Sequence, residues 1–194
     1  MSISVFENNL PDEIIVNICD YLSWSDIFTA FYNLNSRLNR TISGHFKHVS
    51  FGDYCHFKQF QYSCSLLLSH RSFLFDHIKA LKISNRGSPL AAKYFLSHIP
   101  IQQMIHLEKL TLVAFTPDEI LLYLDVIDNA EKNTFQHLVK LHLYQTLYIN
   151  TDPLYVYDTP EALREYHSYL ANRILTGNSQ QLQSIIFDGY NVSM

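Results

Sequence analysis

Clustered positive charge, paired cysteines and long apolar runs are all missing from this chain of 194 residues. Lysine and arginine total 14 and are scattered among 18 acidic residues, for a formal charge of −4. Binding nucleic acid by phosphate neutralisation needs a basic patch or stripe, so that function class has little support. No apolar run approaches the ~20 residues of a membrane-spanning helix. The opening MSISVFENNL carries neither the positive nor the apolar region of a signal peptide. Cys19, Cys55 and Cys64 have no paired spacing, and an odd count without a leader points to a reducing compartment. The expectation is a soluble protein of the cytoplasm or nucleus, with no membrane and no nucleic acid among its partners.

Chemical motifs are equally scarce. Ten histidines are present, yet no CxxC, HxxxH or HExxH spacing occurs, even where His45, His48, Cys55, His56, Cys64 and His70 fall close together. The five glycines stand singly at turns, so no loop is built to cradle a phosphate. No GxSxG elbow and no nucleophile–base pair is legible. Catalytic, metal and cofactor sites are therefore not expected, although a site assembled from distant residues stays open as an alternative.

What the chain does have is apolar content of 47%, enough for one ordinary core plus a small appended module. Residues 10 to 40 are its most informative stretch. Leu10-Pro11 opens a helix, because proline suits the first helical position and Asp12 and Glu13 then complement the helix dipole. Ile14, Ile18 and Leu22 recur at i, i+4 and i+8, with Ile15, Cys19 and Tyr21 on adjoining faces. Ser23-Trp24-Ser25-Asp26 reads as a capping box that restarts the chain as a second helix, with Ile27, Ala30, Phe31, Leu34 and Leu38 along its stripe. A unit of about forty residues buries too little surface to be stable alone. Leu10, Pro11, Ile14, Ile18, Tyr21, Leu22 and Ile27 are left over for another surface, either the rest of this chain or a partner. Local charge over the first forty residues is −3, consistent with a solvated helix rim.

Leu10-Pro11, Glu13-Ile14, Ile18, Tyr21-Leu22, Asp26-Ile27, Ala30-Phe31 and Leu34-Asn35-Ser36-Arg37 resemble an F-box. The resemblance covers about a fifth of the chain, and it rests on the ordered combination rather than on any single element. It implies docking on the small adaptor of an SCF ubiquitin ligase, and through it on a cullin scaffold. The seven leftover residues would then be the adaptor-binding set, in a module spanning 1–43.

Beyond it, over 44–194, five segments share the spacing apolar-x-x-apolar-x-apolar: Phe46…Val49-x-Phe51, Ile78…Leu81-x-Ile83, Leu107…Leu110-x-Leu112, Leu138…Leu141-x-Leu143 and Leu182…Ile185-x-Phe187. Their middle apolar positions step by 32, 29, 31 and 44 residues, the signature of a solenoid with one enlarged unit. Ser88-Pro89, Thr116-Pro117 and Thr159-Pro160 each offer a hydroxyl cap followed by proline, with helix-spaced apolar residues after them. Asp53 is placed to cap the first unit's helix, and Gly177 to close the last. Strand–turn–helix units call for a parallel sheet. The fold class is α+β/α/β: a helical module followed by a short strand–helix solenoid.

The repeat resembles leucine-rich repeats in irregular form. Arg86, Phe115, Thr146 and Tyr190 stand where that family places an asparagine or cysteine. In such a solenoid the residues between core positions face a binding surface. Lys82, Lys109 and Lys140 make it lightly basic, suited to an acidic partner segment or simply solvated. His142 and Tyr144 lie beside them. The insertion at 144–158, with Tyr144, Tyr148, Tyr155 and Tyr157 around Asp152-Pro153, is either a second candidate target-binding surface or a plug that folds back and buries its own tyrosines. After Phe187 only seven residues follow, leaving the last unit with an exposed edge, a covering partner or a longer natural chain. The resemblances together imply a non-catalytic substrate receptor of a ubiquitin ligase. An F-box protein of a non-ligase complex and a small enzyme with an assembled site are the alternatives.

Overall fold

The computed structural model describes residues 10–52, 56–88, 90–129, 137–144 and 184–188, with helical residues Glu165, Ser168, Tyr169, Asn172 and Arg173. Three short helices come first: α1 (Asp12–Cys19), α2 (Trp24–Phe31) and α3 (Ser36–Ile42), then a 3-10 turn over Ser43–Lys47. Each start has a local cause. Pro11 sits at the N-cap of α1 with extended backbone, one position before the first helical residue. Ser23 caps α2, its hydroxyl accepting the Asp26 N–H at 3.2 Å and donating to the Asp26 carboxylate at 2.6 Å, so the two residues read from the sequence as a capping box pair through the Ser23 side chain. Asn35 caps α3 by accepting the Leu38 N–H at 2.8 Å.

The body follows as β1 (His48–Phe51), α4 (Phe57–Ser69), α5 (Arg71–His77), β2 (Ala80–Ser84), α6 (Ala91–His98), a 3-10 turn at Ile101–Gln103, β3 (Lys109–Val113), α7 (Pro117–Asn129), β4 (Lys140–Tyr144) and β5 (Ser184–Asp188). The strands form one parallel sheet in sequential order, β1-β2-β3-β4-β5, each at one of the five repeat segments. Register aligns the repeat positions: Val49, Leu81, Leu110, Leu141 and Ile185 lie side by side, as do Phe51, Ile83, Leu112, Leu143 and Phe187. In β1 to β4 both of these rows are buried, packed against helices, because strand side chains alternate and only one face is covered. Arg173 pairs with Asp125 and Asp128 of α7, each at 2.8 Å.

The single second helix read through Leu34 and Leu38 is split into α2 and α3, leaving Leu34 exposed in the turn between them. Two later junctions also differ from the sequence reading. α6 begins at Ala91 with Leu90 at its N-cap and no cap from the Leu90 side chain, rather than starting from a Ser88 hydroxyl. The cap comes from Asn85, buried at the end of β2, which accepts the Ala92 N–H at 2.8 Å and donates to Glu119 at 3.0 Å. Glu119 also accepts the Thr116 N–H at 2.9 Å, closing the α7 capping box. One asparagine, one residue earlier than the repeat position occupied by Arg86, thus ties β2, α6 and α7 together. Asn85→Ala leaves a buried N–H without its acceptor and is expected to cost about 1–3 kcal/mol, read by chemical denaturation. The second junction is α5, a separate helix after His70 that the spacing did not announce; it buries Leu74 and Phe75.

Gly52 ends β1 at φ +83, where a Cβ would stand 2.1 Å from the Ser84 carbonyl oxygen. Both the left-handed backbone and the close approach of β2 require glycine there. Gly52→Ala is expected to destabilise by about 2–3 kcal/mol, seen as a lowered melting temperature.

Candidate functional site

α1 turns only Ile15 and Cys19 into the core. Its other apolar residues stay outside: Ile14 is 44% exposed, Ile18 39% and Leu22 38%, and Tyr21 just beyond the helix is 90% exposed. Val16, which the sequence reading did not single out, is also exposed. Pro11 is exposed, and Leu10 is half-buried against the core. Ile14, Ile18 and Leu22 share one face by their spacing, and the turn bonds Ile18 O to Tyr21 N–H and Cys19 O to Leu22 N–H continue that face past the helix end. An apolar strip of this kind, rimmed by Asp12, Glu13 and Asp20, marks an interaction surface more readily than scattered single residues do. Ile27 differs from its sequence assignment. It is 2% exposed and belongs to the core, because the cap at Ser23 sets α2 with Ile27 and Phe28 facing inward.

The strip is held rigidly. Arg37 on α3 binds the Asp12 carboxylate at 2.7 Å and the Leu10 carbonyl, fixing the start of α1. Trp24 donates its indole N–H to the Ser50 carbonyl at 3.0 Å, and its ring lies 5.1 Å from Phe51. Phe28 stacks on Tyr32 at 4.1 Å and meets Phe46, His70 and Phe73. The helical unit and the sheet therefore share one continuous core.

The second surface is the uncovered face of the sheet. Register sets two open rows: His48, Ala80, Lys109 and Lys140, then Ser50, Lys82, Thr111 and His142. All eight are exposed or half-buried, and β1 to β4 carry no acidic residue. Lys109 and Lys140 are direct neighbours, and Lys82 lies between Ser50 and Thr111. Strand alternation places Ser84 and Val113 in the next row of the same face, yet both are buried. The turn after β2 folds back, with the Arg86 N–H donating to Ser84 Oγ at 3.2 Å. The Arg86 guanidinium then lies 5.2 Å from the Tyr144 ring, crossing the register position of Val113. Tyr144 also lies 6.2 Å from the His142 ring. At the opposite end of the strands Lys79 binds Glu108 at 2.6 Å. That bond, with weaker help from His137 and Lys140, holds the Glu108 carboxyl below its usual value.

No family model, curated protein or solved structure matches this chain. Of the sequence-assigned residues, the structure brings Ile14, Ile18, Tyr21 and Leu22 together on one strip, and Lys82, Lys109, Lys140 and His142 together on the sheet face. Tyr144 stands at the margin of that face under Arg86. Tyr148, Tyr155 and Tyr157, with Asp53, Pro89, the Thr159-Pro160 start and Gly177, lie outside the described residues.

The two surfaces meet at a cleft of about 430 Å³ between the α1–α2 corner and β1, lined by Asp20, Leu22, Trp24, His45, His48 and Ser50 among others. Local spacing does not announce it, since residues 19–27 and 44–50 are brought together by tertiary contacts such as the Trp24–Ser50 bond. Its polar pair, Asp20 and His45, stands 4.0 Å apart. Burial, with the Asp20 carboxylate adding to it, pushes the Cys19 thiol up, so it stays protonated at neutral pH and is a poor nucleophile. Burial likewise pushes the Tyr123 hydroxyl up, and that hydroxyl donates to the Ala92 carbonyl at 3.0 Å as a structural bond. His77 Nδ1 lies 2.7 Å from the Phe73 carbonyl one turn back in α5, a structural contact. Among the described residues no group of His, Cys, Asp or Glu is placed to hold a metal ion, and no helix is long and apolar enough to cross a membrane.

Proposed function

We propose that this chain is a substrate receptor of an SCF-type ubiquitin ligase. In this reading α1 to α3 are the F-box, and the parallel sheet with its helices is a short leucine-rich-like solenoid. The observation that carries the proposal is the strip of Ile14, Ile18, Tyr21 and Leu22, left exposed on a helical unit whose inner residues are already packed. Apolar surface of this size is stabilised by a partner, and burying a Leu or Ile fully is worth about 1.5–3 kcal/mol. The adaptor-binding set becomes Leu10, Pro11, Ile14, Ile18, Tyr21 and Leu22, without Ile27.

The mechanism is proximity. The strip holds the chain on the adaptor and cullin, while the sheet face presents a target to the ubiquitin-charged enzyme and raises its effective concentration. A fixed angle between docking strip and target face helps such transfer, and the shared core through Trp24 and Phe28 supports that rigidity. No covalent step falls to this chain. The test is binding of the purified chain to the purified adaptor, followed by addition of the cullin. Capture followed by ubiquitin transfer to a bound target supports the receptor role. Capture with no transfer favours a non-ligase complex, and no capture ends the proposal.

A further inference from the structure

We propose that the sheet face takes an extended, acidic segment of a partner protein, with one Asp or Glu carboxylate seated in a recess above Ala80. This deepens the receptor reading and rests on it only in calling the occupant a target. The recess holds about 300 Å³. Ala80 is its floor because it is the one short side chain in its row, between His48 on β1 and Lys109 on β3. Ser50, Lys82 and Thr111 line the adjacent row, and all six residues border the recess. Two lysines, two hydroxyl residues and a histidine thus border a space wide enough for a carboxylate, and a charge-assisted hydrogen bond from a lysine is stronger than a neutral one.

Charge complementarity extends beyond the recess. Lys140 continues the row of Lys109, and β1 to β4 contribute no carboxylate to oppose an acidic guest. An extended segment turns every second side chain toward the sheet, so acids at alternate positions all face these lysines. Separate carboxylates suit the face better than a continuous phosphate backbone does. His48 and Ser50 also border the cleft at the α1–α2 corner, where Asp20 would meet a polyanion tracking along β1. The chain's net charge of −4 opposes such a ligand as well.

The test uses the full chain and a labelled peptide of about ten residues with Glu at alternate positions, read by fluorescence anisotropy at two salt concentrations. The same peptide with Gln for Glu and an oligothymidylate of equal length serve as comparators. Wild type is expected to bind the Glu peptide, more weakly at higher salt. Lys82→Glu with Lys109→Glu should weaken binding by at least about tenfold. Ala80→Leu should do likewise by filling the recess with no change of charge. Lys58→Glu with Lys93→Glu makes the same charge change on α4 and α6 and should stay within about twofold of wild type.

Four results would overturn the inference: no binding by wild type, equal binding of the Gln peptide, equal loss in the helix-surface control, or tighter binding of the oligonucleotide. Where the double reversal melts early, Lys82→Gln with Lys109→Gln replaces it. Adaptor capture measured on the same samples separates the two ideas. Peptide binding lost with capture intact bears on the recess alone, and capture absent with peptide binding intact bears on the receptor role alone.

Discussion

Ile18→Asp combined with Leu22→Asp abolishes capture of the adaptor while the chain stays folded. Both residues are about two-fifths exposed, so a carboxylate on that outward face remains hydrated in the free protein. In the complex the same carboxylates lose water against an apolar surface. Two interface anchors at about 2 kcal/mol each lower affinity by roughly a thousandfold, before the cost of burying charge is added. Co-purification and a thermal melt on the same preparation check both halves of the expectation. A folded double variant that still captures the adaptor would falsify the docking assignment. Ile27→Asp makes the useful contrast. Ile27 is a core residue, so its substitution should lose capture and the cooperative melt together, and it reports on folding rather than on docking.

Phe28→Ala has the largest expected effect on stability, about 3–5 kcal/mol. Its ring is buried where α2 meets the body, against Tyr32, Phe46, His70 and Phe73. No neighbour can refill that space, because Phe46 and Phe73 are themselves held edge to face at 5.8 Å. At a few degrees per kcal/mol for a chain of this size, the melting temperature should fall by roughly 10 °C. Amide exchange should quicken in α1 to α3 before β2 and β3, since the cavity opens at the seam between helical unit and sheet. Phe28→Leu, which leaves a smaller void, should recover part of the loss. A melt unchanged by Phe28→Ala would mean that the helical unit is not packed on the sheet through this residue.

Much of the fold was legible in the sequence for a physical reason. A parallel strand covered on one face needs apolar residues at every second position, and the step between units is set by the helix that returns the chain. Both leave a periodic mark, and all five strands fall on it. The hydroxyl caps at Ser23 and Thr116 were legible because each is closed within four residues. Asn85 was not. Its partners, Ala92 and Glu119, are seven and 34 residues away, and its offset from the repeat position hid it among turn residues.

The candidate surfaces divide in the same way. Which side chains share a face follows from spacing along the chain: Ile14, Ile18 and Leu22 by helical period, and His48, Ser50, Lys82, Lys109 and Lys140 by strand alternation. Those are consequences of backbone geometry alone. Which faces stay uncovered was set by the packed fold. It withdrew Ile27 into the core, closed Ser84 and Val113 under the turn that carries Arg86, and set the small Ala80 between His48 and Lys109 so that a recess opens there. Exposure depends on what segments far apart in the chain bring together, and local spacing carries no record of that.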